Sequence, residues 1–197
     1  MNLEIDTYIV ERNEEGIEFV REEKSRGSGF RRVIKKQISH NSDWHEVIED
    51  YSRTGLSKPT LYHCIRVGSR LYNEKYPNNV IIAGFLHDLL EDIHTSKDEI
   101  ISIFGENVAN LVAANTKNEK LNEPTERREE LIMRCVKTSE EATIIKAADI
   151  LDNFEFYTNT NTQEGIEYCK NNARLLKKYL PESYKDPIFK EVSNILN

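Results

Sequence analysis

Long apolar runs are missing from this sequence of 197 residues, and the longest, Val80 to Leu90, is interrupted by His87-Asp88. That stretch is far shorter than the roughly 20 residues a membrane span requires. The N-terminus also lacks the basic and apolar stretches of a secretory signal peptide. Paired cysteines are absent: Cys64, Cys135 and Cys169 are widely spaced and odd in number, which fits neither a disulfide framework nor a zinc-ligand pattern. A reducing, cytoplasmic setting is the expectation that follows. Excess positive charge is missing too, the net charge being -7, so general binding to extended nucleic acid is disfavoured. No internal repeat or low-complexity linker divides the chain.

What is present is enough chain for one domain with a substantial core. The 31% of charged residues suits a soluble protein with many solvated helix faces. An acidic protein of this kind can still hold a phosphate ester if a metal ion sits in its site. A small phosphorylated substrate therefore remains open where a polyanion does not.

The first 38 residues contain three β-leaning runs, LEIDTYIVE, GIEFVREE and GFRRVIKKQ, separated by turn-forming stretches from Asn13 to Gly16 and from Ser25 to Gly29. They predict a small antiparallel meander, with one or two charged helices as the alternative. From Asp43 the period becomes helical, with Trp44, Val47, Ile48 and Tyr51 on one side. The fold class read from this pattern is mainly α: a helical bundle over residues 41–197 with an N-terminal β-leaning appendage over residues 1–40. One helix carries Leu61, Ile65, Val67, Leu71 and Tyr72, with His63 near its start. The next, Val80 to Ile93, is apolar on most sides and is expected at the centre of the core. Thr95-Ser96 followed by Asp98-Glu99 reads as a capping box. Further helices are expected over residues 108–115, 128–137, 139–156, 164–180 and 187–196, with a polar loop from Lys117 to Arg127.

The apolar helix carries four ionisable groups, His87, Asp88, Glu91 and Asp92, which are costly to bury unless paired or bound to a metal. On a continuous helix His87 lies over Glu91 and Asp88 over Asp92. For any one of these residues a solvated helix edge or a satisfied core histidine is the plainer reading. Together they offer the nitrogen and oxygen donors that suit a first-row divalent metal. His63 and Asp149 supply two more such donors from a distance, and each gains its meaning from that company.

The ordered set of His63, His87-Asp88 and Asp149 resembles the H…HD…D ligands of the HD phosphohydrolase superfamily. Within it, Phe85-Leu86-His87-Asp88 with Glu91-Asp92, Thr95, Ile100, Phe104-Gly105, Val108, Leu111-Val112 and Thr116-Lys117 is similar to the hydrolase domain of RelA/SpoT proteins and their small stand-alone relatives. Lys146-Ala147-Ala148-Asp149 with Asn153 continues the likeness, which covers residues 45–156. The resemblance implies an HD-domain helical bundle and a divalent metal, manganese, held by His63, His87, Asp88 and Asp149. It implies that Glu91 and Asp92 orient or deprotonate the attacking water. It also implies that pyrophosphate is released from the 3′ position of guanosine 3′,5′-bis(diphosphate), with Lys146 and Asn153 among the substrate contacts. The family's basic, glycine-containing nucleotide segment is matched loosely by Ser52 to Pro59, which gives Arg53 and Lys58 as further contacts. Lys117, Arg127 and Arg128 are candidates for the diphosphate, a solvated loop being the alternative.

One departure concerns the substrate: Ile150-Leu151-Asp152-Asn153 stands where the family commonly has Arg-x-His-Asn, adding a carboxylate close to the phosphate site. Two competing readings follow, an HD phosphohydrolase for another nucleotide or phosphorylated metabolite, and a non-catalytic metal-stabilised helical binding module. The Glu91-Asp92 pair argues against the second, because a structural metal site needs no second acidic pair. The expected partner is a small nucleotide, with neither membrane nor extended nucleic acid involved. A homo-oligomer is compatible with this reading.

Overall fold

In a computed structural model of the chain, the described residues are 8–12, 18–26, 29–37, 44–51, 57–92, 95–118 and 120–197, with backbone alone described in the strands and at Asp92. The chain divides into two compact units, residues 1–62 and 63–197.

The first unit holds five strands, β1 (Tyr8–Arg12), β2 (Glu18–Arg26), β3 (Gly29–Gln37), β4 (Trp44–Tyr51) and β5 (Ser57–Pro59), joined in sequence order as one antiparallel sheet. The first three strands fall on the three β-leaning runs. β4 is a correction, because the Trp44, Val47, Ile48, Tyr51 spacing predicts a helix there. The spacing is helical, but half of the eight residues are aromatic or β-branched, types that favour strands. Pairing along the full length of β3 decides the matter, setting Ile48 opposite Val33, Val47 opposite Ile34, and Asp50 and Glu49 opposite Arg31 and Arg32. The boundary expected at residue 40 thus falls between two paired strands.

The second unit is helical: α1 (Thr60–Asn73), which begins at the end of the first unit, α2 (Asn78–Leu86), α3 (Leu89–Asp92), α4 (Lys97–Phe104), α5 (Glu106–Asn115), α6 (Pro124–Thr138), α7 (Glu140–Asn159), α8 (Gln163–Tyr179) and α9 (Pro187–Asn194). The capping box at α4 is present: Ser96 Oγ accepts from the Glu99 amide at 3.2 Å, and Glu99 Oε2 accepts from the Ser96 amide at 2.7 Å. Pro124 opens α6 rather than lying in the preceding loop, since proline fits the first helical turn, where its missing N–H is not needed.

The core centres on α7, which packs against α2, α5, α6, α8 and α9. Ala142, Ile144, Ile145, Ala147, Ala148 and Ile150 on α7 are buried, and the small alanines let neighbouring helices come close. α2, expected at the centre, is more peripheral: Val80 and Ala83 are buried, but Phe85 is 38% exposed. Of the apolar residues expected to define α1, Val67 and Leu71 are buried, while Leu61, Ile65 and Tyr72 are exposed. Asn115, at the end of α5, donates to Leu111 O at 3.0 Å and Ala142 O at 3.2 Å and so ties α5 to the start of α7. Among the described residues no helix is long and apolar enough to cross a membrane.

Candidate metal centre

Glycine brings α1 and α2 together. A Cβ on Gly84 would lie 2.4 Å from Leu71 Cδ1 and 3.5 Å from Gly68 Cα, and one on Gly68 would lie 2.4 Å from the Phe85 ring. This approach requires residues without side chains. Its result is that His63 on α1 and His87, just after α2, meet edge to face with ring centroids 5.0 Å apart.

The continuous helix expected from Val80 to Ile93 is broken at His87-Asp88, which form a turn between α2 and α3. Adjacent residues on a regular helix point about 100° apart. In this turn, where His87 keeps φ -60° and ψ -30°, both side chains reach one place. His87 Nδ1 donates to Gly84 O at 2.8 Å, which directs Nε2 into the cluster, and Asp88 Oδ1 lies 3.4 Å from that Nε2. Asp88 Oδ2 is 3.8 Å from His63 Nε2.

The remaining groups come from α7, which runs through this region unbroken. Lys146, Asp149, Asp152 and Asn153 are all buried on one side of it, at spacings of three and four residues. Asp149 Oδ1 accepts from Asn153 Nδ2 at 2.5 Å and lies 3.0 Å from His63 Nε2, while its Oδ2 accepts from Lys146 Nζ at 2.7 Å. Donor atoms of His63, His87 and Asp149 all lie within 4.8 Å of one another.

The electrostatics call for a cation. The two Nε2 atoms of His63 and His87 are 3.2 Å apart. A carbonyl only accepts, so His87 Nδ1 carries a proton, and a neutral His87 presents a bare Nε2. Two bare nitrogens cannot bond each other; a proton or a metal ion must lie among them. Burial by itself lowers the pKa of His87, yet Asp88 and Asp149 beside it raise the value to about 8. Burial works equally against charge on Asp149, but Lys146 and the two histidines hold its carboxyl well below the usual range. Asp88 is lowered in the same way against its own burial, by His87, His63 and Lys117. Two nitrogens and two carboxylates with these preferences form a donor set suited to a divalent ion.

Of the other expected site residues, Glu91 is bonded to Lys117, whose charge also acts on Asp88. Its side chain is 4% exposed and its carboxylate accepts from the Lys117 amide at 2.5 Å and from Lys117 Nζ at 2.8 Å. Lys117 follows the end of α5, and Arg134 on α6 fixes that end by donating to Ala113 O and Thr116 O, each at 2.6 Å. Lys146 and Asn153, expected as substrate contacts, both bond Asp149. Asp92 closes α3, Lys58 lies in β5 opposite Asp50, and the side chains of both are outside the described residues, as is Arg53 altogether. Arg127 donates to Leu121 O, and the Arg128 guanidinium lies 4.7 Å over the Tyr168 ring.

Asp152, expected as an added carboxylate close to the phosphate site, accepts from His63 Nδ1 at 2.6 Å and from Arg66 at 2.7 Å and 2.8 Å. Burial pushes its carboxyl up, but the bonds from His63 and Arg66 outweigh burial and lower it. Arg66 was not apparent as part of this group. The signal available was spacing: His63 and Arg66 are three residues apart on α1, as Asp149 and Asp152 are on α7.

Comparison with known proteins gives concordant matches. The profile of the HD domain family matches residues 43–169. A guanosine-3′,5′-bis(diphosphate) 3′-pyrophosphohydrolase of Aquifex aeolicus is 36% identical over 107 residues, which is 53% of this chain and 15% of that protein. An enzyme of the same name from Drosophila melanogaster is 36% identical over 107 residues, 53% of this chain and 59% of its own length. The chain thus spans less than two thirds of either relative. A solved structure, described as a metazoan orthologue of SpoT that hydrolyses ppGpp, superposes with a TM-score of 0.58 at 26% identity, covering 70% of this chain and 80% of that one.

Proposed function

Because the chain belongs to the HD domain family, we propose that it is a metal-dependent phosphohydrolase acting on guanosine 3′,5′-bis(diphosphate), releasing pyrophosphate from the 3′ position and leaving guanosine 5′-diphosphate. The observation that carries this reading is the pair of facing imidazole nitrogens, 3.2 Å apart, flanked by Asp88 and Asp149. Its named relatives supply the substrate.

His63, His87, Asp88 and Asp149 are the ligands of this reading, and manganese is the metal. When bound, the ion supplies a water of lowered pKa and neutralises charge on the phosphate. The chain's own residues do the rest. Lys146 and Asn153 hold both oxygens of Asp149 in place. Glu91, oriented by Lys117, and Asp92 beside it align the attacking water or take its proton. Lys146 and Asn153 also contact the nucleotide.

The test is hydrolysis by the purified full chain. With manganese it is expected to convert guanosine 3′,5′-bis(diphosphate) to guanosine 5′-diphosphate and pyrophosphate, to stop when the metal is chelated, and to recover when manganese is returned. Protein that binds manganese and cleaves a different nucleotide while sparing this one would refute the substrate and keep the HD site.

A further inference from the structure

A neutral imidazole carries a single N–H. His63 is 1% exposed and set between two carboxylates, Asp152 at 2.6 Å from Nδ1 and Asp149 at 3.0 Å from Nε2. Where that proton sits decides whether Nε2 has a lone pair to offer. Asp152 is the nearer acceptor, and it cannot swing away. Arg66 grips both its oxygens in a fork, Nε on Oδ1 at 2.7 Å and a terminal nitrogen on Oδ2 at 2.8 Å. Such paired, charge-assisted bonds fix geometry as well as adding energy. The matched three-residue spacing on α1 and α7 then seats the imidazole between the two acids.

We propose that Arg66 and Asp152 form a positioning pair that keeps the one proton of His63 on Nδ1 and so leaves Nε2 bare for a divalent cation. The inference rests on the reading of the cluster as a metal centre but not on the identity of the substrate. A hydrogen bond from the non-ligating nitrogen to a carboxylate fixes the tautomer of a metal-binding histidine and raises its basicity. Arg66 is 44% exposed and lines an open groove with Ser69, Arg70, Asn73 and Glu74, so replacing it opens no hole in the core.

The experiment has two readouts on the full chain. Nitrogen-15 spectra of histidine-labelled protein, without metal and at alkaline pH, report the tautomer of His63, whose signal is identified by its loss in His63→Gln. Titration calorimetry with manganese alone reports affinity. Wild-type protein is expected to show the Nδ1–H form. Asp152→Ala is expected to move the proton to Nε2, toward Asp149, and to weaken manganese binding about 10–100-fold. Asp152→Asn replaces one acceptor oxygen with an NH2 group that must face either Arg66 or His63 Nδ1, so it should loosen the Nδ1–H preference and weaken manganese binding, though less than Asp152→Ala. Arg66→Met should weaken binding less than Asp152→Ala, and the double variant should be no worse than Asp152→Ala.

If Asp152→Ala does not fold, Asp152→Asn and Arg66→Met carry the test through the same two readouts. Wild-type affinity with an unchanged tautomer in Asp152→Ala overturns the proposal, as does unchanged affinity in Arg66→Met. Asp152→Asn that keeps the wild-type manganese affinity overturns it too. Wild-type protein that binds manganese in the Nδ1–H form yet hydrolyses no nucleotide leaves the pair standing and removes the proposed reaction. Protein that takes up no manganese overturns both.

Discussion

Two helical regions deliver charged side chains to the same cluster in opposite ways. α7 stays regular for all its 20 residues while carrying Lys146, Asp149, Asp152 and Asn153 in the interior. The α2–α3 segment breaks in order to deliver only His87 and Asp88. The difference is spacing. Residues three or four apart share a helical face, so α7 can present a polar stripe and keep its backbone bonds. Neighbours in sequence diverge, so bringing both to one point costs the helix its continuity. A regular helix therefore supplies supported ligands, and a broken one supplies adjacent ligands.

The largest effect that would test this contrast comes from removing one acid on each side. Asp149→Ala and Asp88→Ala are both expected to abolish manganese uptake, read by metal analysis of the purified variants. Their stabilities should separate. Asp149→Ala strands the buried Lys146, 6% exposed, and breaking such a pair costs about 3–5 kcal/mol. The Asp88 side chain is 22% exposed and should cost much less. Equal losses in urea denaturation would erase the distinction between a supported ligand and one offered from a turn.

A second effect should fall on turnover alone. Glu91→Gln keeps shape and is expected to lower hydrolysis of guanosine 3′,5′-bis(diphosphate) by about 10²–10⁴-fold, with metal content and melting temperature nearly unchanged. Retained activity would make Glu91 a structural partner of Lys117.

The smallest effects test the crossing of α1 and α2. Gly84→Ala sets a methyl group 2.4 Å from Leu71 Cδ1, in the buried interior, and should cost about 1–3 kcal/mol and loosen the approach of His87 to His63. Gly68→Ala meets the Phe85 ring, which is 38% exposed and free to yield, so its cost should be lower. Thermal melts that rank them in reverse would mean that the crossing tolerates displacement.

Much of this was legible in the sequence, for physical reasons that also mark where legibility stopped. Helices with strong periods and local caps, such as α4 with Ser96 and Glu99, are specified by their own residues. β4 is not, because its type is decided by a ladder to β3 that no window of sequence contains. Ionisable residues in an apolar helix signal His87 and Asp88, whereas His63 and Asp149 stand out only through the resemblance to the H…HD…D pattern. The break after Leu86 follows from the adjacency of His87 and Asp88, but only once both are known to face one point. The added carboxylate Asp152 is visible in the sequence but its partners are not, because His63 and Arg66 lie 89 and 86 residues earlier.

The fixing of the α5 terminus by Arg134 has a consequence for how the chain can vary. The two carbonyls it holds, Ala113 and Thr116, lie four residues and one residue before Lys117, so the lysine that orients Glu91 is anchored upstream of the connection to α6. Loop length past that anchor adds closure entropy only slowly, each doubling costing roughly 0.6 kcal/mol. The stretch from Lys120 to Glu123 can therefore accept insertions while Glu91 keeps its bearing, and Arg134 makes this connection a place where length can drift without disturbing the chemistry.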